Sequence, residues 1–388
     1  MNRMGYADAL RAIAILAVII HHVAKLAGFR IGGMTHELTF LGTWGVDYFF
    51  VLTGFLLSGP FLRAVVDEAK MPSFKLFWRR RFLRIYPLYA VCLLLSVADL
   101  AFGGAAPSFG DILTHATFTH NFFPNYMPSI NGPLWTMALD AQFYLVLPLF
   151  AFVFVGALRR LNRLQRIRAV WIAIGSAIVL SLLERCIVTA VLLRDPMTTY
   201  DTISFWTRNL PGMASEFAIG IGIAFASMVA PIPRLGGRSS VAILAAMAGL
   251  AILSAKFEML DLRHVRETLA IVTTRDFVGG CAAALLLFLF LTVDSPVLAR
   301  IVGSSWTRTA AALAYGVYLF HYPILQHVIA AYSGRIGSTI VTIVLGTVAL
   351  AISVGLAAIL HVFIERPFLS LRDRARESVV FVTREEAA

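Results

Sequence analysis

Residues 45–57 read GVDYFFVLTGFLL, and this stretch decides the class of protein. It lies in an apolar run at 41–62, which is long enough to cross a bilayer because a spanning helix needs about 20 apolar residues. Gly45 and Gly54 are small residues of the kind that let membrane helices approach closely. The run therefore predicts a transmembrane helix that carries one costly carboxylate, Asp47, and this carboxylate requires a partner such as Arg11 or an arginine of the next loop.

The composition extends this interpretation to the whole chain. Of the 388 residues, 59% are hydrophobic and only 14% are charged, whereas a soluble domain carries about 25% charged residues. The net charge of +11 comes from short loops between apolar segments, with no basic stripe on a soluble module, so nucleic-acid binding is excluded. Cys92, Cys186 and Cys281 all lie in apolar stretches, which predicts buried thiols.

The predicted fold is an all-α, polytopic transmembrane helix bundle of about ten spans. We expect one transmembrane domain over residues 1–370, followed by a short cytoplasmic tail at 371–388. The predicted spans are 7–28, 41–62, 86–103, 134–157, 169–193, 210–229, 240–255, 276–293, 310–331 and 339–363.

The loop charges predict the orientation. Of the 33 Lys and Arg residues, 23 fall on the side that carries both termini, and the positive-inside rule assigns that side to the cytoplasm. We therefore expect a multi-pass protein of the bacterial inner membrane, with both termini cytoplasmic. The loop at 104–133 on the other side has no Lys or Arg, and either faces a sugar or caps the bundle.

The first span carries two polar side chains on one face. Arg11 and His22 are about 20° apart around the helix and about 16 Å apart along it, a distance comparable to the reach of the pantetheine arm of CoA. His21 projects about 100° away and is expected to face elsewhere. The alternative is structural: an Asp8–Arg11 ion pair and a hydrogen-bonded core histidine.

Residues 77–89 read FWRRRFLRIYPLY and place Arg80, Arg81 and Arg84 at the start of a span. Forked guanidinium groups at this position suit phosphate. Topology anchoring and lipid headgroup contact explain them equally well.

Two later segments carry further candidates. Trp135, Asp140 and Tyr144 lie in NGPLWTMALDAQFYLVLPLF, at the outer end of a span, and His321 stands in the apolar run YGVYLFHYPIL. Trp and Tyr are common at membrane interfaces, so Asp140 and His321 are the more informative residues. His115 and His120 do not share a helical face, and no metal site is expected.

Taken together, six segments resemble acyltransferase family 3, whose members are inner-membrane proteins that O-acylate sugars, polysaccharides, lipid-linked glycans and some antibiotics. The Arg11 and His22 pair begins the pattern. The segments at 45–55, 80–87, 135–144, 315–323 and 365–367 follow in the family order. Thr53 stands where the family has Ser, and Asp140 where it usually has Glu.

The resemblance implies transfer of an acyl group, most often acetyl, from acyl-CoA to a hydroxyl of a carbohydrate or glycoconjugate. His22 is then the general base or an acyl carrier, with Arg11 and Asp140 as the other catalytic candidates.

The resemblance also implies binding residues. Arg80, Arg81 and Arg84 would bind the CoA phosphates. Trp135, Tyr144, His321 and Asp47 would bind the acceptor. Acyl-CoA is expected as a co-substrate rather than a resident cofactor, and the surrounding lipid as a partner. About 25 residues follow the last predicted span, so we expect direct transfer or hand-off to a separate protein.

Two other classes stay open. Ten spans with intramembrane charges also suit a secondary transporter, although no inverted repeat or pair of broken helices is visible. A membrane scaffold without catalysis leaves the intramembrane Asp, Arg and His unexplained. Binding of CoA separates the acyltransferase from both, and the oligomeric state is open.

Overall fold

The computed structural model describes residues 3–26, 34–195, 197–258, 265–293, 295–332 and 339–371. Over these residues the chain is helical, with a single isolated β-bridge between Leu235 and Val293, which confirms the all-α class. The α-helices are α1 (Arg3–Leu26), α2 (Met34–Val66), α3 (Phe74–Phe102), α4 (Phe109–Ala116), α5 (Trp135–Leu158), α6 (Arg163–Leu192), α7 (Tyr200–Thr207), α8 (Ala214–Val229), α9 (Gly237–Glu258), α10 (Val265–Thr292), α11 (Pro296–Val302), α12 (Ser305–Ala331) and α13 (Thr339–Leu360).

Side-chain caps fix the starts of two long helices. The N–H of Leu76 donates to the hydroxyl of Ser73 at 3.4 Å at the start of α3. Asn162 and Gln165 form a reciprocal capping box at the start of α6, which satisfies donors that a helix start otherwise leaves open. Because α3 begins at a fixed residue, Arg81 falls in its third turn.

The described residues include seven helices that are long and apolar enough to cross a membrane, so the chain is a multi-pass helical protein. Each of the ten predicted spans overlaps a helix. The helix α8 is apolar but shorter, and α9 and α12 are not among the seven. The count of ten and the cytoplasmic placement of both termini stay predictions, as does the division into one domain and a tail. Residues 372–388 of the expected tail lie outside the described residues.

Close crossings in the centre of the bundle depend on glycine. The helix α2 packs against α1, α5, α8 and α10. A side-chain carbon at Gly54 would overlap the carbonyl oxygen of Phe217 on α8, and one at Gly220 would overlap that of Val51. At Gly45 it would overlap α1. The interpretation of Gly45 and Gly54 as packing residues is therefore confirmed.

Buried charges join three further helices. The guanidinium of Arg185 on α6 donates to the carboxylate of Glu216 on α8 at 2.9 Å, and both side chains are fully buried. Its other end lies 3.6 Å from the carboxylate of Asp276 on α10. Ionised groups buried in a bundle are tolerated when they pair in this way, so these contacts fix α6, α8 and α10 beside the centre.

Candidate active site

Three arginines from two helices line one cavity of about 260 Å³. Arg11 comes from α1, while Arg81 and Arg84 come from α3. We call this space the arginine cavity; α2, α5 and α12 form the rest of its wall. Arg11 also donates to the Asp8 carboxylate at 2.9 Å. Among the described residues that line the cavity, Asp140 is the only acidic one, so the cavity favours an anionic ligand.

Asp140 lines the arginine cavity from α5. Its Oδ2 accepts a hydrogen bond from the Tyr144 hydroxyl at 3.2 Å. Its Oδ1 is buried and accepts no hydrogen bond within 3.5 Å among the described residues, although the Thr53 side chain also interacts with this carboxylate. A buried carboxylate oxygen without a donor is costly, so this atom is an acceptor available to a ligand. The backbone oxygen of Tyr144 accepts a hydrogen bond from the indole N–H of Trp78 at 2.8 Å. This bond joins α5 to α3, the helix that carries Arg81 and Arg84.

A second cavity of about 520 Å³ lies toward the end of the bundle that carries residues 103–134. We call it the histidine cavity, because His21 and His22 of α1 line it. Trp135, at the start of α5, and Arg208, which follows α7, also line it. The Arg208 guanidinium lies 5.0 Å from the centre of the Trp135 ring, a cation–π distance. The other polar and aromatic lining residues include Lys25, Asp47, Asp201, Trp206, Arg275, Asp276, Tyr318 and Tyr322.

Hydrogen bonds fix the tautomer of His22. His321 Nδ1 lies 2.6 Å from the backbone oxygen of Tyr318. Because a carbonyl only accepts, Nδ1 carries the proton and His321 Nε2 is the acceptor. That atom lies 3.1 Å from His22 Nδ1, which also lies 3.0 Å from the backbone oxygen of Val18. Both neighbours place the His22 proton on Nδ1, so Nε2 keeps its lone pair for a ligand of the histidine cavity.

Asp47 lies on the border between the histidine cavity and the buried charges. It lines the cavity together with Arg275 and Asp276. A side chain at position 279 would overlap its carboxylate, so Gly279 on α10 leaves the space that Asp47 fills. The expected pairing of Asp47 with Arg11 is wrong: Arg11 pairs with Asp8 on its own helix, and the two residues line different cavities.

The structure separates residues that the sequence grouped. Trp135 lines the histidine cavity, whereas Asp140 and Tyr144 of the same helix line the arginine cavity. The reason is direction: at about 100° per residue, Asp140 projects about 140° and Tyr144 about 180° away from Trp135 around the helix, and Thr136, next to Trp135, already lines the arginine cavity. The expectation that Asp140 and Tyr144 accompany Trp135 at the outer end is therefore corrected.

Three other residues singled out in the sequence also have definite places. Arg80 does not line the arginine cavity, although its neighbour Arg81 does. His321 is buried and lies behind His22 rather than among the residues that line either cavity. His21, expected to face elsewhere, lines the same cavity as His22, with their ring centres 5.0 Å apart. The cavity is wide enough to contact both of the faces of α1 that carry these two histidines.

Sequence reasoning missed the contributions of α7 and α10. Arg208, Asp201 and Asp276 line the histidine cavity but were not among the predicted site residues. A signal was present: Arg185 lies inside a predicted span, and such a charge requires acidic partners on other helices. Glu216 and Asp276 are those partners.

The segment between α3 and α5 holds a separate histidine pair. The rings of His115 and His120 stack with centres 3.9 Å apart, and His115 Nδ1 lies 3.1 Å from an Asp111 carboxylate oxygen. Burial, and then the proximity of His115, lower the pKa of His120 to about 3, so it is neutral at neutral pH. Within the described residues, no three His, Cys, Asp or Glu side chains are grouped to hold a metal ion.

Comparison with known proteins gives a family match over nearly the whole chain. The model of a family described as an acyltransferase domain matches residues 4–362. No solved structure matches the chain.

Three curated relatives are similar to this chain. The peptidoglycan O-acetyltransferase OatA of Listeria monocytogenes is 28% identical, over 82% of this chain and 49% of its own length. The acyltransferase MdmB of Streptomyces mycarofaciens is 25% identical, over 96% of this chain and 94% of its own. The putative peptidoglycan O-acetyltransferase YrhL of Bacillus subtilis is 26% identical, over 97% of this chain and 56% of its own. The chain thus spans about half the length of the two peptidoglycan relatives.

Proposed function

The chain belongs to this acyltransferase family, and from that premise we propose that it is a membrane O-acyltransferase that moves a short acyl group from acyl-CoA to a carbohydrate hydroxyl. The observation that carries the proposal is the pair of cavities. One is lined by three arginines and the other by a histidine of defined tautomer, and Val46 and Tyr318 line both.

The arginine cavity is the proposed donor site. Arg11, Arg81 and Arg84 supply guanidinium groups that suit the phosphates of CoA, since forked donors bind phosphate with two parallel hydrogen bonds. The pantetheine arm then extends toward Asp140, whose open Oδ1 accepts a hydrogen bond from an amide N–H of the arm. Asp140 is therefore proposed as a donor-binding residue rather than the base that activates the acceptor.

The histidine cavity is the proposed acceptor site. Its aromatic side chains suit the C–H faces of sugar rings, and its charged side chains suit sugar hydroxyls. Two of the three relatives have peptidoglycan in their names, which supports a carbohydrate acceptor. We also propose Trp135 and Asp47, which line this cavity, as acceptor-binding residues.

The proposed chemistry is general-base catalysis by His22. Nε2 takes the proton of the acceptor hydroxyl as its oxygen attacks the thioester carbonyl carbon. The tetrahedral intermediate collapses, the carbon–sulfur bond breaks, and the leaving thiolate takes the proton from Nε2. His321 acts behind His22 by accepting its Nδ1 proton in a hydrogen bond, which holds the base in the required tautomer.

The test is release of free CoA from acetyl-CoA by the purified protein in detergent, with and without oligosaccharide acceptors. We expect His22→Ala to abolish acceptor-dependent release. Arg81→Ala should raise KM for acetyl-CoA about tenfold to a hundredfold, because a hydrogen bond to a charged group is worth about 1.5–3 kcal/mol. Mass spectrometry of the acceptor identifies the ester.

Arg80→Ala is the matched control, because it removes the same side chain from the same helix turn without touching the cavity. Its KM should equal that of the wild type. If His22→Ala keeps full activity in a folded protein, the assignment of the base is wrong. If the wild type neither binds nor cleaves acetyl-CoA, the secondary transporter becomes the better hypothesis.

A further inference from the structure

The two cavities meet at a group of side chains that we call the wall. Val46 on α2 and Tyr318 on α12 line both of them. Thr136 on α5 lines the arginine cavity next to this wall, and its hydroxyl lies 2.6 Å from that of Tyr318. In the proposed reaction the thioester comes from one cavity and the hydroxyl from the other. The acyl group of the donor must therefore lie against this wall.

Hydrogen bonds hold two of the three wall side chains in place. The Tyr318 hydroxyl donates to the backbone oxygen of Pro133 at 2.9 Å, and that oxygen also lies 3.1 Å from the Thr136 hydroxyl. Tyr318 and Thr136 are 4% and 3% exposed. Their hydroxyl groups are engaged in hydrogen bonds with each other and with the Pro133 carbonyl. The surface that remains for the donor's acyl group is therefore apolar.

The arginine cavity has the length of the donor arm and little more. Its lining on α2 runs from Leu57 to Val46, which is about 16 Å at 1.5 Å per residue. The extended pantetheine arm has a comparable reach. With its phosphates near Arg81 and Arg84, a CoA thioester brings its carbonyl close to Val46, and only a short acyl chain fits beyond it.

We propose that Val46, backed by Thr136 and Tyr318, selects the donor by acyl length, admitting acetyl and propionyl groups and excluding longer chains. This inference rests on the proposed function, since it assumes that the arginine cavity holds the donor. Val46 is the adjustable member of the wall because no hydrogen bond fixes its side chain. It packs against both apolar clusters of the bundle, so its volume sets the depth of the cavity.

The experiment measures binding and turnover separately. Binding uses S-ethyl-, S-butyl- and S-hexyl-CoA, thioethers that the protein cannot cleave, titrated by calorimetry in detergent. Turnover uses acetyl-, butyryl- and hexanoyl-CoA with the same acceptor. For the wild type we expect affinity and kcat/KM to fall at least about tenfold between the two-carbon and four-carbon chains, because a misfitted methylene costs about 10–200-fold.

Two substitutions of Val46 should move this limit in opposite directions. Val46→Ala deepens the cavity and should raise the butyryl-to-acetyl ratio of kcat/KM about tenfold. Val46→Ile makes the cavity shallower and should weaken even S-ethyl-CoA binding. Val65→Ala is the control: it removes the same atoms from a buried site on the same helix that lines neither cavity. Its chain-length profile should match the wild type.

The outcomes separate this inference from the function on which it rests. If all four proteins bind S-ethyl-CoA and share one chain-length profile, the wall does not select the acyl group, although the acyltransferase proposal stands. If Val65→Ala shifts the profile as much as Val46→Ala, the selection is not local to the wall and the inference is wrong. If no CoA thioether binds to the wild type, the donor site itself is wrong, and both proposals fall together.

Discussion

At the scale of single residues, His22 shows how a buried side chain acquires a defined chemistry. A neutral imidazole has one donor and one acceptor nitrogen, and the neighbours decide which is which. The carbonyl oxygen of Tyr318 sets the tautomer of His321, and His321 with Val18 sets that of His22. The backbone of two helices thus determines which nitrogen of His22 can act as a base.

His321→Phe keeps a ring in place but removes the acceptor for His22 Nδ1. We expect kcat to fall about a hundredfold, below the upper limit of about 10⁴ for a general base, because Val18 still holds Nδ1. KM for acetyl-CoA should not change, since His321 does not line the arginine cavity. Steady-state kinetics with varied acetyl-CoA measures both constants.

His327→Phe is the control, because it makes the same change at an exposed site of the same helix. It should leave both constants unchanged. A His321→Phe protein that loses affinity for acetyl-CoA and keeps kcat would show that His321 serves the donor rather than the base.

At the scale of helices, the crossing of α2 and α8 is closely constrained. Gly54 and Gly220 each lie against backbone atoms of the opposite helix. Backbone atoms cannot move aside as a flexible side chain can. The observed distance between α2 and α8 is therefore possible only while these two positions have no side chain. Because α2 lines both cavities, the same crossing fixes part of the wall of each cavity.

Gly220→Ala should destabilise the protein, because its new methyl group overlaps the carbonyl of Val51. Overpacking of this kind costs about 1–3 kcal/mol, so we expect a lower thermal transition of the detergent-solubilised protein, measured by size-exclusion chromatography after heating. Gly222→Ala is the control on the same helix: its methyl group would meet Ile174 at 3.6 Å, an ordinary contact. Equal stability of the two variants would contradict the close crossing.

At the scale of the whole molecule, the two cavities lie toward opposite ends of the bundle. The arginine cavity lies near the third turn of α3, and the histidine cavity lies beside residues 124–133. If CoA enters from the cytoplasm, the arginine end must face it. The charge distribution predicts the same orientation, which places the connection between α2 and α3 in the cytoplasm.

Labelling of single cysteines in intact cells tests this orientation, after replacement of the three native cysteines. Lys70 and Ala105 are both exposed and lie at the two ends of α3. We expect a membrane-impermeant maleimide to label Ala105→Cys in intact cells, and Lys70→Cys only after the cells are permeabilised. The reverse pattern would place the arginine end outside, away from CoA, and contradict the donor assignment.

The sequence by itself determined the properties that depend on neighbouring residues. Apolar runs of about 20 residues predicted the helices, because the cost of exposing polar groups to lipid is set locally. Arg11, His22 and Asp47 were visible for the same reason: a polar side chain within such a run is costly wherever the helix packs. Arg11 lines the arginine cavity, and His22 and Asp47 line the histidine cavity.

Only the tertiary structure decided which of these residues act together. Asp140 and Trp135 are five residues apart yet line different cavities, because they project about 140° apart around α5 and therefore face different neighbouring helices. His22 and His321 are 299 positions apart and lie in hydrogen-bond contact, because α1 packs against α12. The wall at Val46, Thr136 and Tyr318 brings together three helices. Such groupings depend on how distant helices pack, and no local pattern along the chain encodes them.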